Sequence, residues 1–150
     1  MLTYLRLALL AAVAVLATAA PAAAQGPPLQ LQFLGQAIVP TGTTFDGTTI
    51  GGLSSITWDP ERNVYYSISD DQSQFQPARF YTIRLDVGDG KLTNSDVHFD
   101  GVTTLLAPDG RPYPPFSLDP EGLALTKDRT LIATSEGFTD RLIPPWLRPY

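Results

Sequence analysis

Gly52-Leu53-Ser54-Ser55-Ile56-Thr57-Trp58-Asp59-Pro60-Glu61-Arg62-Asn63-Val64-Tyr65-Tyr66-Ser67-Ile68-Ser69-Asp70 is the stretch that decides the fold. Leu53 to Trp58 and Val64 to Ser69 are short runs rich in β-branched and aromatic residues. Between them, Asp59-Pro60-Glu61-Arg62-Asn63 is dense in turn formers. Two such runs around such a turn read as a β-hairpin.

The pattern returns later in the chain. Gly122-Leu123, Leu125-Thr126, a turn at Asp128 and Thr134-Ser135-Glu136 follow Gly52-Leu53, Ile56-Thr57, a turn at Asp59 and Ile68-Ser69-Asp70. The offset is 70 at Gly52 and Gly122 and 66 at Asp70 and Glu136. Hairpins resemble one another by composition alone, but here an acid closes both copies. A repeated β unit of this period predicts four-stranded sheets arranged as propeller blades.

The rest of the chain agrees with an all-β fold. Strands are expected at Gln30 to Val39, Arg79 to Asp86 and, more weakly, Val97 to Leu106. Thr41 to Gly52 reads as a Gly/Thr loop, Asp70 to Pro77 as a polar loop and Pro108 to Pro120 as a Pro-rich one. After Gly137 the chain reads as irregular, with Pro144, Pro145 and Pro149. No window of a dozen residues keeps a helical apolar spacing without a Pro or Gly, and the acids are 12 Asp against 3 Glu. Asp favours turns and Glu favours helices, so the balance again points away from helix.

The chain opens with a different kind of segment. Arg6 precedes the uncharged apolar run Leu7 to Ala17; Pro21 breaks it, and Ala22-Ala23-Ala24 offers a small-residue cleavage site. This is the three-part pattern of a secretory signal peptide, residues 1–24. The rival reading, an uncleaved anchor, is opposed by the Ala-rich composition and Pro21. An exported chain, periplasmic or secreted and without a stable membrane anchor after cleavage, is therefore expected. Residues 25–52 are read as an N-terminal strand and the Gly/Thr loop, and 53–150 as the main domain. At roughly 40–50 residues per blade and four blades at least, the chain holds about one and a half four-stranded blades. An incomplete β-propeller, the N-terminal part of a longer protein, is the expected architecture. A small complete β domain whose tail packs Trp146 and Tyr150 onto itself is the alternative.

Composition excludes several functions. Of 150 residues, 43% are hydrophobic and 17% charged, which is globular composition. The net charge is −5, a poor match for nucleic acid. Cysteine is absent and His98 is the single histidine. Thiolate chemistry, disulfides and multi-histidine metal sites are thereby ruled out. No Gly-x-Ser-x-Gly elbow, P-loop or dinucleotide fingerprint is present.

What remains is a set of acids at the ends of the repeated strands: Asp70 and Asp71 after the first hairpin, Asp119 and Glu121 before the second, and Glu136 after it. If the hairpins are neighbouring blades, these ends share one face. Carboxylates gathered there need a cation to stay ionised together, and a purely oxygen donor set suits calcium. The plainer reading is solvated acids capping turns. Arg79, opening a strand beside the Asp70 loop, could hold an anion in a forked contact, or pair with Asp70 or Asp71.

Gly51-Gly52-Leu53-Ser54-Ser55-Ile56, Ser69-Asp70-Asp71, Pro77-Ala78-Arg79-Phe80-Tyr81, Leu118-Asp119-Pro120-Glu121-Gly122 and Ser135-Glu136-Gly137 occur in this order. Together they resemble the phytase-like, or esterase-like, domain of exported bacterial proteins, matching its N-terminal portion from about Leu53 to Pro145. The resemblance implies a partial phytase-like β-propeller over 53–150 and ester hydrolysis that depends on calcium. It implies metal binding by Asp70, Asp71, Asp119, Glu121 and Glu136, with Arg79 as anion partner and a small-molecule ester or phosphoester as substrate. A non-catalytic propeller binding module with structural calcium is the competing expectation.

Overall fold

A computed structural model describes residues 29–150. The proposed signal peptide, 1–24, lies outside the described residues, as does the start of the segment read as an N-terminal strand. Residues 33–150 form one unit. It is all-β and antiparallel, with sheets of two, four and three strands. The two-stranded ribbon is β1 (Thr44–Phe45) and β2 (Thr48–Thr49). The four-stranded sheet is a meander of β3 (Leu53–Asp59), β4 (Val64–Ser69), β5 (Arg79–Leu85) and β6 (Val97–Thr104). The three-stranded sheet is β7 (Pro120–Leu125), β8 (Leu131–Ser135) and β9 (Trp146–Pro149). Among the described residues helix is limited to single 3₁₀ turns at Asn94–Asp96 and Thr139–Arg141. No sheet closes on itself among the described residues.

Alternation along each strand sorts side chains to two faces. Tyr66, Ile68 and Phe80 face the three-stranded sheet and meet Leu123, Leu131 and Ala133 in the larger core, which the Pro-rich loop completes with Tyr113 and Leu118. Trp146 and Tyr150 pack against the edge of this core. On the opposite face Tyr81 and Ile83 carry a smaller cluster, covered by Ile50, Val39 and Phe45. The N-terminal loop therefore earns its place by covering β5 and β6.

Both hairpins form, and the register shows a true structural repeat. Each has a bulge at the same point, between Leu53 and Ser55 in β3 and between Pro120 and Gly122 in β7. Leu53 faces Ser69 as Pro120 faces Ser135, and Ser55 faces Ile68 as Gly122 faces Thr134. Ser55 therefore corresponds to Gly122 and Ile56 to Leu123. The sequence alignment of Gly52-Leu53 with Gly122-Leu123 is therefore three residues out of register. The repeated glycines misled because they serve different ends: Gly52 sits at φ +58, whereas Gly122 lies under the Thr134 side chain.

Two other expectations change. Residues 30–39 do not form a strand; a single bridge from Gly35 to Leu92 is what they make. Gly35 sits at φ +141 with the Leu92 carbonyl against its Cα, which interrupts any ladder. Conversely, Trp146–Pro149 is not irregular but pairs with β8. Its terminal proline is tolerated at the end of an edge strand, where no further ladder donor is needed.

Candidate functional site

The repeat fixes where the acids go. β3 and β7 lie side by side: the Ser55 hydroxyl donates to the Leu123 carbonyl (3.2 Å) and accepts from the Leu123 N–H (3.0 Å), and the Leu125 N–H donates to Thr57 Oγ1 (3.2 Å). Ser55 opposite Leu123 and Thr57 opposite Leu125 means that the two strands run in the same direction. Their starts, and the ends of β4 and β8, therefore share one end of the molecule.

At that end the same backbone device appears twice. The Asp70 N–H donates to the Gly52 carbonyl (2.7 Å), and the Glu136 N–H donates to the Asp119 carbonyl (2.9 Å). Beneath each acid sits a buried serine. Ser69 Oγ donates to the Gly51 carbonyl (2.9 Å), and Ser135 Oγ accepts from the N–H groups of Asp119 (2.9 Å) and Gly137 (3.2 Å). The Asp70 carboxylate lies directly over Gly52, where a Cβ would overlap it.

Four of the five proposed metal ligands, Asp70, Asp119, Glu121 and Glu136, lie at this end of the strands. Burial pushes the Glu121 carboxyl above its ordinary value; a hydrogen bond from Ser54 opposes the rise, and the charges of Asp119, Glu136 and Asp70 add to it. Asp70, Asp119 and Glu136 thus lie near enough for their charges to act on Glu121. Their donor set is all oxygen, which fits a hard divalent cation. They do not converge on one point: among the described residues no three acids or histidines come close enough to hold an ion.

Asp71 and Arg79 stand apart from these acids and pair with each other. The Arg79 side chain donates to Asp71 Oδ2 (2.9 Å), Tyr81 Oη (2.8 Å), the Pro77 carbonyl (3.1 Å) and the Thr49 carbonyl (2.9 Å). Asp71 also accepts from the N–H groups of Gln74 (2.9 Å), Phe75 (3.2 Å) and Gln76 (3.0 Å). Between them they hold the 71–76 loop as the wall of a cleft of about 730 Å³ whose lining includes Asp70, Phe75 and Gly52. The ion-pair alternative for Arg79 is the arrangement seen. A second cleft, about 720 Å³ and lined by Glu121, Glu136, Trp146 and Leu147, opens beside the first acids. His98 is exposed on β6, away from both clefts.

Sequence reading treated Asp59 only as a turn residue. It is 1% exposed. Its carboxylate accepts from the Glu61 and Arg62 N–H groups, from Tyr66 Oη and from both Arg129 nitrogens, while Arg129 also pairs with Glu61. Burial would raise its pKa; the Arg62 N–H bond, the Arg129 charge, Tyr66 and the Glu61 N–H together hold it below the ordinary value. This clamp joins the turns of the two hairpins at the end opposite the acids. An arginine in the second turn at the place of Asn63 in the first was the available signal.

Replacing Ser135 by alanine leaves the Asp119 and Gly137 N–H groups without their partner. The expected cost is about 1–3 kcal/mol, read as a lower denaturation midpoint.

The geometry places the chain in a class of β-meander proteins with carboxylates at one end of repeated sheets. A family model described as "Phytase-like: Esterase-like activity of phytase" matches residues 48–150. The chain belongs to this phytase-like family. Searches of the curated proteins and of the solved structures each return no match.

Proposed function

We propose that this is an exported, calcium-dependent hydrolase of a small-molecule ester or phosphoester, and that Asp70, Asp119, Glu121 and Glu136 form its functional face. The four- and three-stranded sheets are then consecutive blades of a β-propeller, and residues 1–24 direct the chain to the periplasm or the medium. The carrying observation is the repeated placement of strand-end acids at one end of the two sheets, with the Asp70 N–H on the Gly52 carbonyl and the Glu136 N–H on the Asp119 carbonyl. Membership of the phytase-like family supports the same reading.

The four carboxylates stand apart in the structure and would draw together around the cation, with water or substrate oxygens filling its remaining positions. Calcium, when bound, would polarise the ester oxygen and lower the pKa of a bound water. The Ser69 and Ser135 anchors fix the backbone at each acid, so that only the side chains have to move. Asp71 and Arg79 shape the cleft wall and are spent on each other.

That last feature also favours a second reading, a binding module with structural calcium. With Arg79 committed to Asp71, no free side-chain cation among the described residues lines the larger cleft to receive a phosphate. Hydrolysis of aryl phosphate and aryl acetate esters, with calcium and with chelator, separates the two. The first reading expects turnover that needs calcium and disappears in Asp119→Asn/Glu121→Gln. Calcium-linked stabilisation without turnover of any ester would establish the second.

A further inference from the structure

The register that aligns the two hairpins also aligns the starts of their strands. Leu53 stands for Pro120 and Ser55 for Gly122. The residues beside them follow: Gly52 stands for Asp119, and the bulge residue Ser54 for Glu121. The backbone bonds agree, since the Gly52 carbonyl accepts from Asp70 as the Asp119 carbonyl accepts from Glu136. At these repeated positions the second sheet carries Asp119, Glu121 and Glu136, and the first carries Gly52, Ser54 and Asp70. Of the three positions in the first sheet, Asp70 alone supplies a carboxylate.

Gly52 differs from its counterpart in backbone as well as in side chain. It sits at φ +58, a left-handed conformation that Asp119 does not adopt. A Cβ built at position 52 would overlap Oδ1 of Asp70 and stand 2.6 Å from its Cγ and 3.2 Å from its Oδ2. The Asp70 carboxylate therefore occupies the space of the missing side chain. Lying there, it reaches from the end of β4 back across the start of β3, the strand that stands against β7. The left-handed backbone alone does not demand glycine, because Asp46 and Asn63 adopt it in other turns. The occupied space over position 52 does.

We propose that Gly52 is a positioning residue of the acidic end, glycine so that the Asp70 carboxylate can cross the start of β3 and share a cation with Asp119, Glu121 and Glu136. The proposal rests on the calcium reading given above and adds to it a residue that touches no ion. A side chain at 52 would turn the Asp70 carboxylate away from the second sheet. Asp70 is exposed, so its carboxylate can swing into water at little cost to folding. The loss falls on the cation, which would keep three carboxylates in place of four. An aspartate at 52, copying the second sheet, meets the same obstruction.

Four variants separate this role from backbone strain. Gly90, between β5 and β6, is the control: it sits at φ +77, and a Cβ there would meet nothing within 4 Å. In chelator, Gly52→Ala and Gly90→Ala are expected to lower the melting midpoint by similar amounts, because both put a side chain on left-handed backbone. Calorimetric titration with calcium then tells them apart. Gly90→Ala is expected to keep the wild-type affinity. Gly52→Ala is expected to lose about tenfold to a hundredfold, and Asp70→Ala as much. The double variant Gly52→Ala/Asp70→Ala should bind no more weakly than Asp70→Ala alone, since both changes act through one carboxylate. Wild-type affinity in Gly52→Ala would overturn the proposal and leave the calcium reading standing, and so would a further loss in the double variant. Absence of calcium binding in the wild type would overturn both. Should Gly52→Ala not fold, Asp70→Ala decides by itself: unchanged affinity there means that the first sheet shares no cation, and the proposal falls.

Discussion

Alanine at position 79 is expected to cost about 3–5 kcal/mol of folding stability. Arg79 is 3% exposed, and Asp71, its partner, is nearly as buried. Truncation leaves the Asp71 carboxylate without its counter-charge and takes one donor each from the Tyr81 hydroxyl and the Thr49 carbonyl, which keep their bond to each other. Removing one member of a buried pair costs far more than the pair contributes when intact. Lysine is not expected to restore the loss. A single ammonium cannot serve Tyr81, Asp71, Pro77 and Thr49 from one position, as the flat guanidinium does. Asp71→Asn should cost less in the Arg79→Ala background than in the wild type, because both act on one network. Urea unfolding reads all three variants, with the midpoint falling and the slope unchanged. A loss below 1 kcal/mol for Arg79→Ala would show that the loop is not held in this way.

Glu121→Gln is expected to do opposite things with and without calcium. The folded protein raises the Glu121 pKa through burial and the charges of Asp119, Glu136 and Asp70. The folded state therefore holds this proton more tightly than the unfolded state. Stability from this group falls as pH rises from the ordinary carboxylate range through the raised value. At neutral pH without a cation, ionised Glu121 opposes folding, so the glutamine variant should melt at a higher temperature than wild type. Below the ordinary carboxylate range the two should coincide. In saturating calcium the order should reverse, because the wild type gains a charged ligand that the variant lacks. The calcium affinity of the variant should fall by roughly tenfold or more, about 1.4 kcal/mol. Melting curves in chelator and in calcium, taken across the pH range, carry the whole prediction. A variant that melts below wild type in chelator at neutral pH would refute the electrostatic reading of the cluster.

Much of this was legible in the amino-acid sequence, for identifiable reasons. The hairpins at Leu53–Ser69 and Pro120–Ser135 were visible because alternation and turn residues are local signals. That the strand-end acids share one end of the sheets followed from the repeat alone. Register was not legible, since a bulge is set by tertiary pairing and the glycines at 52 and 122 looked equivalent. β9 was hidden because Pro144, Pro145 and Pro149 mask a strand that forms only by pairing with β8. The 30–39 segment shows the converse: it has strand-like alternation, but the described residues give it a single bridge in place of a ladder. The Asp59–Arg129 clamp joins residues 70 positions apart, a distance at which sequence pattern says little about contact. The division of the acids into a charged cluster and the Asp71–Arg79 pair likewise needed side-chain geometry.

Calorimetric titration of the wild-type chain with calcium tests the central claim most directly, run beside Asp119→Asn/Glu121→Gln. The expected result is a saturable binding event in the wild type, absent from the double variant, while Asp71→Asn in a still-folded chain leaves it largely intact. Equal calcium binding by wild type and the double variant, or none by either, would contradict the assignment of the acidic end as the functional face.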